Sequence, residues 1–293
     1  MPVPEKMLPP PPLPIELPDV RAALIRRHWL GVQRFSFQHG YHSTLTTMTG
    51  WQCARWADDV SGVQSLTFTP VHAGALASTV GKLVRAMGCQ SGEVVADLSM
   101  AVDGAVSARL LRDGWRPMGR MFSAHMLPTD GAWRSRLKPL PEGVIVREVT
   151  DAKTMADFTA VQELAYRESY GTPEGATSKF YADPHSLIGQ DVVGLVLYVV
   201  LGAGVERPAR SACLIRAEGL VSIANDAAIP EVRGQHLSEV LLNSLLFTAK
   251  HQYGCDEVVY VTTPEARSIA ARLGVQVVDR YRWMVPSAVA VEG

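Results

Sequence analysis

The second half of the chain alternates between apolar runs of strand length and apolar residues at helical spacing. Residues 143–149 (GVIVREV) alternate as a strand, and residues 151–171 begin with Asp151 and carry apolar side chains three or four positions apart, as in a capped helix. Further strands are predicted at 192–201, 210–219, 220–229, 257–263 and 275–285, a long helix at 236–254, and short helices at 177–188 and 266–274. An antiparallel meander followed by a crossover helix predicts a mixed sheet of the α/β (α+β) class.

The first half carries a weaker copy of the same ending. AMGCQSGEVVADL (86–98) matches QYGCDEVVYV (252–261), and SARLLRDGWRP (107–117) matches IAARLGVQV (269–277) in the same order. Repetition in order indicates a tandem duplication. We therefore predict a proline-rich arm (1–18), a degenerate first domain (19–130), a linker (131–142) and a second domain (143–293).

Composition excludes several classes of function. The 28 Lys and Arg balance 29 Asp and Glu, so the chain lacks the broad positive field that nucleic-acid binding requires. No apolar run reaches the roughly 20 residues that span a bilayer. The four cysteines are far apart and show no metal-ligand spacing, which predicts reduced thiols, no metal and a cytoplasmic protein.

The segment IANDAAIPEVRGQHLSEVLL (223–242) joins a predicted strand to the long helix through an Arg-Gly pair. Such a loop either starts a helix or also holds an anion, because free amides and the helix dipole favour negative charge there. With its flanking elements, this segment resembles the GNAT N-acyltransferase superfamily, whose fourth strand runs into a (Q/R)xxGx(G/A) loop. The resemblance covers residues 143–286 well and residues 20–127 weakly, and implies two tandem GNAT-like domains.

The resemblance implies a binding site for acetyl-CoA or another acyl-CoA as co-substrate. Its pyrophosphate is expected on the loop, its thioester at the backbone amides that precede the loop, and its pantetheine near the end of the next strand. The residues so assigned are Arg233, Gly234, Gln235, His236, Leu237 and Ser238, then Ala227, Ala228 and Ile229, and finally Thr263.

Three departures from the GNAT pattern bear on mechanism. His236 stands where the family has a glycine, so its side chain either adds a phosphate donor or partly closes the site. Ser238 replaces the second small residue and is itself able to hydrogen-bond. Ala270 stands where a tyrosine often serves as general acid, and alanine cannot donate a proton.

The catalytic candidates therefore come from the predicted fourth and fifth strands. Asp226, Asn225 and Tyr260 are the groups expected near the thioester. Two of them also have a structural explanation: Asp226 bonds backbone amides or pairs with Arg233, and Tyr260 is a core aromatic. Two carboxylates near the end of the first helix, Glu163 and Glu168, suit a cationic amine or simply form a solvated face.

These observations predict an acyl-CoA-dependent N-acyltransferase that acts on the amine of a small molecule by direct transfer. The alternatives are a CoA-binding sensor or scaffold without turnover and, third, a related chemistry such as thioester cleavage. The first half lacks the Arg-Gly loop and is expected to have lost CoA and to pack against its partner. Neither nucleic acid nor a membrane is expected as a partner, and a homodimer is left open.

Overall fold

The computed structural model describes most of the chain. The described residues are 20–39, 43–57, 64–71, 77–86, 94–130, 141–170, 175, 187–201, 204–263 and 274–287. The proline-rich arm, residues 131–140 of the predicted linker and most of the two predicted short helices lie outside them. Ile188, at the end of the first predicted short helix, lies instead in a strand, because it pairs with Val193.

Seventeen elements make up the described part of the chain. The N-terminal half contains α1 (Val20–His39), β1 (Ser43–Met48), β2 (Trp51–Ala57), β3 (Gln64–Pro70), α2 (Ala77–Ala86), β4 (Val94–Ser99), α3 (Gly104–Arg112) and β5 (Trp115–Pro128). The C-terminal half contains β6 (Val144–Glu148), α4 (Ala152–Tyr170), β7 (Ile188–Gly189), β8 (Val192–Leu201), β9 (Val205–Ala217), β10 (Leu220–Ala228), α5 (Leu237–Tyr253), β11 (Glu257–Thr262) and β12 (Val277–Pro286).

The predicted mixed sheet is confirmed. Strands β8, β9 and β10 form an antiparallel meander, α5 crosses over, and β11 returns parallel to β10. In the first half β1, β2 and β3 are likewise antiparallel and β4 is parallel to β3. The Val-Val pairs of the matched segments lie in the first residues of β4 and β11, which hold the same place in the two halves. The Asp151 cap is also confirmed, since its carboxylate accepts the Thr154 amide at 2.8 Å.

The last strands of the two halves are exchanged. All twelve strands form one sheet, in which β12 lies between β4 and β5, and β5 lies between β12 and β11. Tyr281 of β12 is paired with Ser99 on one side and Phe122 on the other, while Tyr260 of β11 is paired with His125 of β5. Each half therefore completes its sheet with a strand from the other, an arrangement that the sequence patterns did not predict.

Helix α1 crosses the seam between the halves. Its Ile25 packs in a core cluster with Tyr281, and its His28 Nδ1 lies 2.8 Å from the carbonyl oxygen of Ala217 at the end of β9. Gly31 faces the turn after β9, where an added Cβ would stand 2.7 Å from the Glu218 side chain. The glycine thus permits the close approach of the helix to this turn.

The core of the C-terminal half has two layers, one on each face of the meander. Leu195 and Leu197 of β8 pack with α5, whereas Val196 and Tyr198 pack with Phe158 of α4. Burial on both faces explains why β8 reads as a continuous apolar run rather than an alternating one. Within the described residues, no helix is both long enough and apolar enough to cross a membrane.

Candidate functional site

Strands β10 and β11 begin together and then part. They pair in parallel through Ser222 with Val259 and Ile223 with Tyr260, and the ladder ends there although both strands continue. The register of β10 against β9 shifts between Ala224 and Ala227, and Asn225 in this bulge has a φ of +54°. The ladder thus ends where β10 bulges, as is common at the point where strand pairing terminates, and we call the unpaired region between the ends of β10 and β11 the cleft.

The loop after β10 contains two left-handed residues. A short 3-10 turn over Pro230–Val232 leads to Gly234, with a φ of +81°, and to His236, with a φ of +62°. Open space surrounds the Gly234 position, so its backbone angle rather than crowding favours glycine there. His236 adopts a glycine-like conformation as the cap of α5, and its half-exposed ring is directed toward Glu239, 3.9 Å away. The bulky side chain thus leaves the turn of the loop intact.

Some backbone amides of residues 227–229, just before the loop, are hydrogen-bonded within the sheet. The amide of Ile229 donates to the carbonyl oxygen of Ala209 in β9 at 3.1 Å. Because amide directions alternate along a strand, the Ala227 amide also faces β9 and the Ala228 amide faces the cleft. Arg233 donates to the carbonyl oxygen of Ala228 at 3.4 Å. Of the three amides predicted to hold the thioester, that of Ala228 is the one directed toward the cleft.

Asp226 and Tyr260 meet in a network of polar side chains beside the cleft. The Tyr260 hydroxyl donates to Asp226 at 3.0 Å, and Asp226 is also ion-paired with Arg210 of β9. Arg210 donates in turn to the Ser238 hydroxyl at 2.6 Å. Burial, followed by the charge of Asp226, raises the pKa of Tyr260 well above its usual value, so this hydroxyl keeps its proton.

Arg210 is a site residue that the sequence analysis missed, and the expected pairing of Asp226 with Arg233 is wrong. Arg233 instead forms an ion pair of 2.8 Å with Glu168 at the end of α4. The sequence did carry a signal for Arg210, because it shares one face of β9 with the buried residues Ala212 and Leu214. A charged residue on a buried strand face needs a partner, and that partner is Asp226.

The third catalytic candidate lies on the opposite face of the sheet. The side-chain nitrogen of Asn225 lies 3.7 Å from the sulfur of Cys213, and the backbone carbonyl oxygen of Asn225 accepts from Gln162 of α4 at 2.5 Å. Gln162 also donates to Ser211 at 2.8 Å. Burial raises the pKa of Cys213 to about 12, so the thiol stays protonated. The structure thus brings Asp226 and Tyr260 together and leaves the Asn225 side chain apart from them.

Solved structures similar to this chain include GCN5-related N-acetyltransferases. One from Kribbella flavida matches 90% of this chain and 95% of its own, with a TM-score of 0.61 and 16% identity. A tandem GNAT protein from the clavulanic acid biosynthesis pathway matches 93% of this chain and 97% of its own, with a TM-score of 0.60 and 14% identity. This chain has the GNAT fold. The expected fold class and the resemblance to that superfamily are thereby confirmed, while identities this low carry nothing about substrates. No protein-family model and no curated protein sequence matches the chain.

The two carboxylates predicted to suit a cationic amine lie in the second half of α4. Glu163 accepts from Arg167 at 3.3 Å and from the Gly175 amide at 2.8 Å, and Glu168 is paired with Arg233. The charges of both predicted carboxylates are therefore balanced in this structure. Thr263, predicted at the pantetheine, follows β11 directly and is partly buried. Ala270 lies outside the described residues.

In the N-terminal half, the parallel strands β3 and β4 correspond to β10 and β11, but the ends of these strands are arranged differently. Arg26 of α1 donates to the carbonyl oxygen of Pro70, at the end of β3, and forms a buried ion pair of 3.0 Å with Asp103, after β4. A side chain from α1 thus links the ends of β3 and β4. That the first half has lost CoA stays a prediction.

Proposed function

We propose that the chain is an acyl-CoA-dependent N-acyltransferase, with acetyl-CoA as the expected donor and the amine of a small molecule as the acceptor. One observation carries the proposal: the β10–β11 cleft runs into a loop with two left-handed residues that opens α5. The first amides of a helix lack intrahelical partners, and the helix dipole adds positive potential. This combination suits the diphosphate of CoA.

The residues of the loop and of β10 have separate roles in this proposal. The amides of Gly234, His236, Leu237 and Ser238 hold the diphosphate, since the Gln235 amide already donates to the Val232 carbonyl oxygen at 3.3 Å. Arg233, exposed at the mouth of the loop, adds positive charge. The Ala228 amide, which faces the cleft, is assigned to the thioester carbonyl, where a preorganised donor stabilises developing negative charge. Thr263 is assigned to the pantetheine because it stands at the end of β11.

Acyl-CoA supplies a thioester whose carbonyl carbon the amine attacks, so that a C–N bond forms, the C–S bond breaks and the thiol leaves. The chain must remove a proton from the amine. Asp226 is the proposed acceptor of that proton, because its carboxylate lies beside the cleft with 22% of its side chain exposed. The protonated Tyr260 hydroxyl donates to Asp226 and is the proposed source of a proton for the leaving thiolate. The Asn225 side chain, on the opposite face, is the weakest of the three candidates.

The experiment is an assay of thiol release from acetyl-CoA with a panel of small amines. Asp226→Asn should lower turnover by about 10²- to 10⁴-fold, the usual contribution of general acid–base catalysis, and should leave the KM for acetyl-CoA nearly unchanged. The loss should shrink as pH rises and the amine loses its proton unaided. Tyr260→Phe tests the acid, and Asp191→Asn, on an exposed turn, is the matched control. If both site variants match the parent at every pH, neither side chain is the base or the acid.

A second function, a CoA-binding protein without turnover, is favoured by one contact. Asp226 is engaged by both Arg210 and Tyr260, which is the arrangement of a structural carboxylate as well as of a base. Calorimetry with CoA separates the two proposals. Binding of CoA without acyl transfer to any amine would replace the enzyme by a sensor, and the absence of CoA binding would reject both.

A further inference from the structure

Arg210 is a buried cation directly beside the first turn of α5. The residue is 8% exposed, and its guanidinium spans two partners, the Ser238 hydroxyl and the Asp226 carboxylate. Its Nε is buried and has no hydrogen-bond partner among the described residues. A buried guanidinium is costly unless it is paired, and Asp226 supplies the pair. The contact with Ser238 is an additional one that charge balance alone does not require.

That contact decides what the Ser238 hydroxyl can do. A serine hydroxyl has one proton to donate and lone pairs to accept, whereas a guanidinium only donates. Because Arg210 donates to Oγ, the serine proton must point elsewhere, and within the described part of the chain the hydroxyl forms no hydrogen bond as a donor. The hydroxyl is therefore a donor next to the free amides at the start of α5, and the charge of Arg210 strengthens it.

Asp226 and Tyr260 fix the guanidinium in this orientation. One carboxylate oxygen of Asp226 is paired with Arg210 and the other accepts the Tyr260 hydroxyl at 3.0 Å. Four side chains from β9, β10, β11 and α5 thus form one continuous network. Because three of them are on strands, the orientation of the Ser238 hydroxyl is determined by the sheet rather than by the loop.

We propose that Arg210 is a positioning residue for the acyl donor, which it serves by directing the Ser238 hydroxyl proton toward the diphosphate. The inference rests on the proposed function, since it concerns the same site. It gives a role to Ser238, which stands where the GNAT pattern has glycine or alanine.

Calorimetry of CoA binding to the full-length protein tests the proposal. A hydrogen bond to a charged group corresponds to roughly a tenfold change in affinity or somewhat more, so Ser238→Ala should weaken CoA by about that factor. Ser238→Thr, which keeps the hydroxyl, should retain most of the affinity. Ser244→Ala, which removes another α5 hydroxyl, one that donates to the Val240 carbonyl oxygen at 3.2 Å, is the matched control and should bind as the parent does.

The role of Arg210 is tested by a double-mutant cycle. Arg210→Met alone would leave Asp226 buried without its partner, so it is combined with Asp226→Asn to keep the site neutral. This pair should weaken CoA by about the same factor as Ser238→Ala, and adding Ser238→Ala to it should cause little further loss. Dephospho-CoA, which keeps the diphosphate but lacks the 3′-phosphate, should show the same pattern.

The outcomes separate this proposal from the proposed function. If CoA does not bind the parent protein, both fail. If the parent binds and Ser238→Ala binds equally well, the acyl-CoA site stands and the role of Ser238 is wrong. Additive losses would mean that Arg210 acts independently of Ser238, and a loss confined to CoA would move Ser238 to the 3′-phosphate. Either of these two results would overturn the positioning role.

Discussion

Replacing Asp97 by asparagine should stabilise the protein at neutral pH. Asp97 lies on β4 and is 4% exposed; one carboxylate oxygen accepts from Trp29 at 3.1 Å, and the other has no partner among the described residues. Asp103 and Asp279 lie close by, with Arg26 as the nearby cation. Burial is the largest cause that raises the pKa of Asp97 from 3.8 to about 6. Burial also raises the pKa values of Asp103 and Asp279.

The sign and size of the effect follow from this pKa shift. Between about pH 4 and pH 6 the folded protein holds a proton that the unfolded chain has lost, so the free energy of unfolding falls as pH rises through this window. A shift of about two units corresponds to about 3 kcal/mol. Because the three carboxylates titrate together, we expect a change of about 1–3 kcal/mol. Asparagine resembles the protonated acid and can still accept from Trp29, so the variant avoids this loss.

Urea denaturation of the full-length protein at intervals from pH 4 to pH 8 measures the difference between Asp97→Asn and the parent. The difference should be small near pH 4, grow in favour of the variant up to about pH 6, and remain constant above. Asp191→Asn reports the effect of losing an exposed carboxylate under the same conditions. A difference that does not change with pH, or a variant less stable than the parent at pH 8, would show that the folded protein does not disfavour the ionised form of Asp97.

Three further predictions concern packing, the loop and the exchanged strands. Gly194→Ala would place its Cβ 2.9 Å from Val149 and should lower the free energy of unfolding by about 1–3 kcal/mol. Gly104→Ala is the control, because an added Cβ there meets open space and should not destabilise the protein. Equal stabilities of the two variants would contradict the packing argument. His236→Gly should remove the backbone strain of a left-handed non-glycine residue and stabilise the protein by about 1 kcal/mol. It should not weaken the binding of CoA; thermal denaturation and calorimetry check the two expectations. Residues 141–293 alone lack β5 and should melt well below the full chain; an equal melting temperature would rule out dependence on the exchanged strand.

Local patterns were sufficient to predict most elements of the C-terminal half. Apolar spacing located α4, α5 and the meander, since side-chain periodicity in helices and strands follows from backbone geometry alone. The Arg-Gly pair between a strand and a helix located the loop, because such a turn needs a residue that tolerates a positive φ. The order of repeated segments indicated two similar halves.

The exchange of β5 and β12 was decided only by the tertiary structure. Strand periodicity shows which face of a strand is buried but not which neighbour it pairs with, because the backbone of any extended strand can form the same ladder of hydrogen bonds. Helix α1 was also missed, although its His28 contacts the end of β9 across the seam.

The sequence by itself determined the fold class and the position of the loop that opens α5, because both depend on residues close together in the chain. The partner of Asp226 was decided by tertiary structure. Arg210, 16 residues earlier, reaches Asp226 because β9 and β10 are antiparallel neighbours, whereas Arg233 is drawn to Glu168 on another helix. Charges are paired according to distance in space, and that distance is set by strand register, which no single segment of the sequence contains.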